Sequence, residues 1–164
     1  MTSGFGARWF MASTPATVAA ARHGTVAQLR TWGFQFDEEV ASTFALLVSE
    51  LVTNAILHGS GDFLTIAMCA RSEEVYVEVL DGSSVTPALR EAEPDDESGR
   101  GMFLVNAYAA SWGVHSTPRG KAVWATCRLP AQPVPTRQRC RAEVIGALIR
   151  KARPRIYVGA LRAA

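Results

Sequence analysis

One long amphipathic segment constrains this chain more than any other feature. Between Asp37 and about Leu57, the apolar residues Val40, Phe44, Leu47, Leu51 and Ala55 recur at helical spacing, and Gly59-Ser60-Gly61 stops the run. A helix with so continuous a stripe must lie on a core. Asp37 is placed to cap its start. Glu50 and Asn54 stand four residues apart and share one face, at the edge of the stripe. A carboxylate and a carboxamide beside a buried seam suit metal-assisted phosphoryl transfer. The amide oxygen can ligate Mg²⁺, a hard cation that takes oxygen ligands, and the carboxylate can orient or deprotonate a nucleophile. The same pair also occurs as an ordinary solvated helix edge.

The remaining segments fall around this helix. Val18, Ala21, Val26 and Leu29 mark an earlier helix from Pro15 to about Trp32, with Pro15 at an early helical position and Gly33 at its end. Leu64, Ile66 and Met68 alternate with Thr65, Ala67 and Cys69, a strand pattern; Val75 to Leu80 returns as a second strand of a hairpin and ends in Asp81-Gly82. Residues 82–98 form a polar loop with five acids between Glu91 and Glu97, of a length that signals a lid, a binding loop or disorder. Gly99-Arg100-Gly101 then opens a third helix, to about Ala110, and strands follow near Trp112–Ser116 and Lys121–Leu129. Together these elements predict an α/β two-layer sandwich, a mixed and mostly antiparallel sheet with helices on one face. The domain spans residues 15–130, between a disordered N-terminus over 1–14 and a Pro/Arg-rich linker and basic tail over 131–164, with a short helix around 142–153.

The ordered motifs, a helix with Val-Ser-Glu-Leu-Val-Thr-Asn-Ala-Ile-Leu-His-Gly, a strand ending in Asp81-Gly82, and Gly99-Arg100-Gly101 before a helix, resemble the GHKL superfamily. That is the histidine-kinase-like ATP-binding domain (Bergerat-type fold) shared by gyrase, heat-shock chaperone, histidine kinase and MutL. Within it, the first motif is most similar to the bacterial anti-sigma-factor serine/threonine kinases. Trp112-Gly113-Val114 and Gly120-Lys121-Ala122-Val123-Trp124-Ala125 resemble the closing strands of small actinobacterial members.

The resemblance implies ATP and Mg²⁺ as cofactors and assigns roles by position. Glu50 is the general base, Asn54 the Mg²⁺ ligand, and Asp81, followed by Gly82, accepts a hydrogen bond from the adenine amino group. A charge-assisted bond of that kind is worth roughly 1.5–3 kcal/mol, although Asp-Gly is also a common turn pair. Gly99, Arg100, Gly101 and Met102 wrap the phosphates, helped by the unpaired N–H groups and dipole of a helix N-terminus; Arg100 either touches the γ-phosphate or is solvated. His58 is a ligand, a base or a helix-end cap, whereas His23 and His115 are structural or surface residues. Two departures stand out. The superfamily often shows Asp-x-Gly-x-Gly where this chain has Asp81-Gly82-Ser83-Ser84-Val85, and some relatives carry Thr where Lys121 follows Gly120.

Charge and cysteine usage bound the setting. The net charge of +2 divides into a tail over 131–164 at +7 and a body at −5, so the basic charge is not built into the domain as in a dedicated DNA-binding fold. Direct nucleic-acid binding is not expected. Cys69, Cys127 and Cys140 are odd in number and lack the paired close spacing of a zinc site or a disulfide framework, which points to a reduced, cytoplasmic home. No run of apolar residues reaches the length of a membrane span. The expected partners, from the resemblance, are a sigma factor and an anti-anti-sigma (STAS-type) protein, with homodimerisation through the first helix or a sheet edge. A nucleotide-binding interaction module without kinase activity is the alternative.

Overall fold

Among the described residues, three helices lie across one sheet. A computed structural model of the chain describes residues 5–71, 73–83 and 100–131. The elements run β1 (Phe5–Ala12), α1 (Pro15–Thr31), α2 (Glu38–His58), β2 (Phe63–Arg71), β3 (Glu74–Asp81), α3 (Arg100–Tyr108), β4 (Ser111–Thr117) and β5 (Gly120–Arg128). The strand order is β1-β2-β3-β5-β4, and every pair is antiparallel. The α/β expectation holds, and the sheet, expected to be mixed and mostly antiparallel, is antiparallel throughout among the described residues.

Local sequence explains why the helices begin and end where they do. Asp37 caps α2 by accepting from the Val40 N–H at 2.9 Å, as its position predicts. Pro15 occupies the first turn of α1, where its missing N–H has no partner to lose. At the other end Gly33, with φ +86°, lets the chain leave the helix and donates to the Arg30 carbonyl.

Helix α2 is the centre of the packing. Phe44, Leu47, Val48, Leu51 and Val52 are essentially without solvent contact and lie on Val75, Val77 and Val79 of β3 and on neighbouring strands. Burying each such side chain is worth about 1.5–3 kcal/mol. Contrary to the expectation from uninterrupted apolar runs, α2, at 21 residues, is long and apolar enough to cross a bilayer by length and composition alone. Its buried stripe gives the apolar character another purpose, since those residues already have partners in α1, α3 and the sheet.

The N-terminal expectation is corrected here. Residues 5–12 are not disordered; they form the edge strand β1, in register with β2 from Phe5↔Ala70 to Ala12↔Phe63. The alternation of Phe5, Ala7, Trp9 and Met11 sends one set of side chains toward the helices. Phe5 stacks on Trp32 at 5.5 Å between ring centroids and meets Phe34 edge-on at 5.7 Å, so it closes the core beyond the end of α1. Gly6, Ala7, Arg8 and Ala12 interrupt the large residues of this eight-residue strand and hid that pattern. Residues 1–4, the greater part of the acidic loop and the tail beyond 131 lie outside the described residues, as does Cys140.

The central strands are buried on both faces at their midpoints, where a simple in-out alternation would leave one face open. Ile66–Met68 and Val77–Val79 are buried without a break. On the face away from the helices, Tyr76 stacks on Trp124 at 5.7 Å and its hydroxyl donates to buried Glu78 at 2.9 Å. Burial, followed by the Glu78 charge, drives the Tyr76 phenol well above its ordinary range. His115 stands 3.9 Å from the same carboxylate and is part-buried, consistent with a structural part.

Candidate functional site

The predicted site residues line up along α2. Glu50, Asn54 and His58 are spaced one turn apart, and the chain then leaves the helix at Gly59 beside the Asp81 side chain. At about 1.5 Å per residue, Glu50 to Gly59 covers on the order of 13 Å, long enough for a base at one end and a row of phosphates at the other.

The Glu50 end meets α3. Gly101, in the first turn of α3, faces the carboxylate so closely that a Cβ built on it would sit 2.6 Å from Glu50 Oε2. A side chain at this position would displace the end of the Glu50 carboxylate, so the glycine leaves the carboxylate its place beside the first turn of α3. Burial raises the Glu50 carboxyl above its ordinary range, the direction suited to a base that must accept a proton near neutral pH. Met102 points into the core and is buried, so any contact it makes with a ligand comes from its backbone. Arg100 is described only as the first residue of α3, and Gly99 lies outside the described residues.

Asn54 sits between the two ends. It is buried, and its Nδ2 has no hydrogen-bond partner. An orphaned buried amide is costly unless a ligand completes it. A half-turn about χ2 presents the oxygen at the same place, so the side chain fits either a phosphate oxygen or Mg²⁺. No group of three or more His, Cys, Asp or Glu residues gathers among the described residues. Mg²⁺ needs only one or two protein oxygens when phosphates and water fill its other positions.

The Asp81 end is the most constrained. Asp81 Oδ1 accepts the Ser83 N–H at 2.8 Å and faces Lys121 Nζ at 3.3 Å, whereas Oδ2 is buried with no partner. Lys121 lies directly opposite Asp81 in the β3–β5 register and also donates to the His58 carbonyl at 3.3 Å. Both side chains are about 97% buried or more. Gly82 N–H donates to the Ser60 carbonyl at 3.1 Å, which ties the end of β3 to the end of α2. Gly120 has φ +144°, and a Cβ there would collide with the Asp81 carbonyl oxygen, so this turn admits only glycine.

The structure thus brings Glu50, Asn54, Asp81, Gly82 and Gly101 to one edge of α2. His58 contributes its carbonyl, with its ring exposed in the last turn. What the motifs did not reveal is that Lys121 is the buried partner of Asp81. The signal was its place immediately after Gly120, but a lone lysine in a strand ordinarily reads as a solvent-facing residue. Cys69 and Cys127 are free thiols. Burial, helped by the Glu74 charge, pushes Cys127 up to about 11, in keeping with a small core residue.

No curated protein matches the chain. The family model described as a histidine kinase-like ATPase domain matches residues 11–127, which runs from the end of β1 through β5 and includes every described site residue. Well over half of the chain is covered, so it belongs to the histidine kinase-like ATPase domain family of the GHKL-type superfamily, whose domains bind ATP and usually Mg²⁺.

Proposed function

We propose that this protein is an ATP-dependent serine/threonine protein kinase of the anti-sigma-factor type, acting in the cytoplasm. It binds a sigma factor and phosphorylates a small anti-anti-sigma protein, and the added phosphate charge breaks the complex with that substrate. The observation that carries the kinase assignment is the Glu50 carboxylate, raised by burial and set against Gly101 at the start of α3. A hydroxyl acceptor must lose its proton during transfer, so a base at the phosphate end serves Ser or Thr directly.

When bound, Mg²⁺ would neutralise charge on the transferring phosphoryl group. Asn54 would hold the metal, Asp81 would hold the base through its unpartnered Oδ2, and the first turn of α3 would orient the phosphates. Glu50 would take the hydroxyl proton at its carboxylate. The alternative, a nucleotide-dependent binding module without transfer, draws support from Lys121, whose pairing with Asp81 departs from the expected threonine.

Glu50→Gln separates the two. In the kinase, the variant binds ATP with unchanged affinity and loses transfer of radiolabelled phosphate to the acceptor. Wild-type protein that binds ATP but labels no hydroxyl on a co-purified partner supports the binding module.

A further inference from the structure

We infer that Lys121 is a positioning residue for base recognition: it holds the Asp81 carboxylate in the orientation that offers its second oxygen to the adenine amino group, and it does so without touching the nucleotide. This rests on the reading that Asp81 accepts a hydrogen bond from the base. Asp81 and Lys121 stand directly opposite each other in the β3–β5 register, with both side chains almost wholly buried. The Lys121 ammonium meets Asp81 Oδ1 at 3.3 Å, and the Ser83 N–H donates to the same oxygen at 2.8 Å. Oδ2 is buried and has no donor among the described residues. One oxygen is thus doubly engaged within the fold, and the other keeps its capacity to accept.

A half-turn about the Cβ–Cγ bond would merely exchange equivalent oxygens, so what the donors fix is the plane of the carboxylate and the direction of its free lone pairs. The Ser83 bond comes from two residues further along the chain, a local turn contact that moves with the end of β3. Lys121 adds an anchor from outside that turn. Its ammonium also donates to the His58 carbonyl at 3.3 Å, at the end of α2, where an orphan carbonyl and the negative pole of the helix dipole favour a cation. One side chain therefore ties the base-reading acid to the helix that carries Glu50 and Asn54. It also compensates the buried charge; a carboxylate deprived of its cation is strongly penalised, which favours any rotation toward solvent. Hydrogen bonds weaken steeply with misalignment, so loss of the anchor falls on the contact to the adenine amino group and spares the rest of the nucleotide.

Purine ribonucleoside triphosphate, which is ATP without the 6-amino group, reads that contact directly. In calorimetry with Mg²⁺, the full-length wild type should prefer ATP over this analogue by about 10- to 100-fold, the worth of a charge-assisted hydrogen bond. Lys121→Met should reduce the preference to about threefold or less through weaker ATP binding, with affinity for the analogue changed by less than about threefold. In an Asp81→Asn background, Lys121→Met should leave the preference where Asp81→Asn alone puts it. Lys121→Gln keeps a donor but lacks the charge; it should lower the preference by at least about threefold, and it decides the matter if Lys121→Met does not fold. A variant that weakens both nucleotides equally and keeps the wild-type preference marks a merely structural lysine and overturns this inference alone. A further loss of preference on adding Lys121→Met to Asp81→Asn overturns it too, since the lysine would then act by another route. Wild type that binds ATP without preferring it to the analogue removes the base-reading role of Asp81 and this inference with it. Uptake of neither nucleotide removes the proposed function as well.

Discussion

Replacing Glu50 with Gln should make the protein more stable and less active at once. Burial raises the Glu50 carboxyl above its ordinary value, so the folded state holds the charged form at a cost. A raised folded pKa means that the group's contribution is fully present below the unfolded value, near about 4.3, and is lost as pH rises through the folded value. Glutamine has no charge to desolvate. Glu50 is only partly buried, so solvent screens the penalty, and the expected gain at neutral pH is a few tenths to about 1 kcal/mol. That corresponds to a rise in Tm of about 1–4 °C for a domain of this size. The difference in Tm between variant and wild type should shrink toward zero as pH falls to about 4.3. Phosphoryl transfer should meanwhile fall by about 10²–10⁴, the usual contribution of a positioned base. Differential scanning fluorimetry across pH, together with a transfer assay, measures both. A variant less stable than wild type at neutral pH, or a gap in Tm independent of pH, would refute the desolvation argument. Retained transfer would refute the assignment of the base.

The remaining predictions address other parts of the fold and site. Asp81→Asn should weaken ATP binding by about 10- to 100-fold in calorimetry, because the orphaned acceptor at Oδ2 loses its charge; equal affinity would contradict its role at the base. Gly120→Ala should cost at least about 2–3 kcal/mol in urea unfolding, since φ +144° and the Asp81 carbonyl both exclude a Cβ, and a neutral result would mean that the β4–β5 turn relaxes freely. Phe5→Ala should cost about 3–4 kcal/mol by the same measurement, as it removes the ring packed on Trp32 and Phe34; a negligible effect would show that β1 is dispensable.

Much of the layout was legible beforehand because it is written in local patterns. The spacing of Phe44, Leu47, Leu51 and Ala55, the cap at Asp37 and the stop at Gly59 identify α2 without any tertiary information. The hairpin of β2 and β3 was likewise visible in alternating residues. β1 was not, because an edge strand shows only half of its pattern in burial and here half of its positions are Gly, Ala or Arg. Continuous burial in the middle strands was also out of reach, since Ala67 and Glu78 give no sign of being covered.

The linear chain by itself determined which residues bear the chemistry: a carboxylate and an amide one helical turn apart, an acid closing a strand, and a glycine opening a helix. Those follow from backbone periodicity and turn preferences, which act over a few residues. Only the tertiary structure decided that Lys121 is buried against Asp81, that one carboxylate oxygen is engaged while the other is left free, and that Gly101 abuts Glu50. Such facts depend on cross-strand register and on helix packing between residues tens of positions apart. Distances of that kind are set by how the core closes, and no local pattern encodes them.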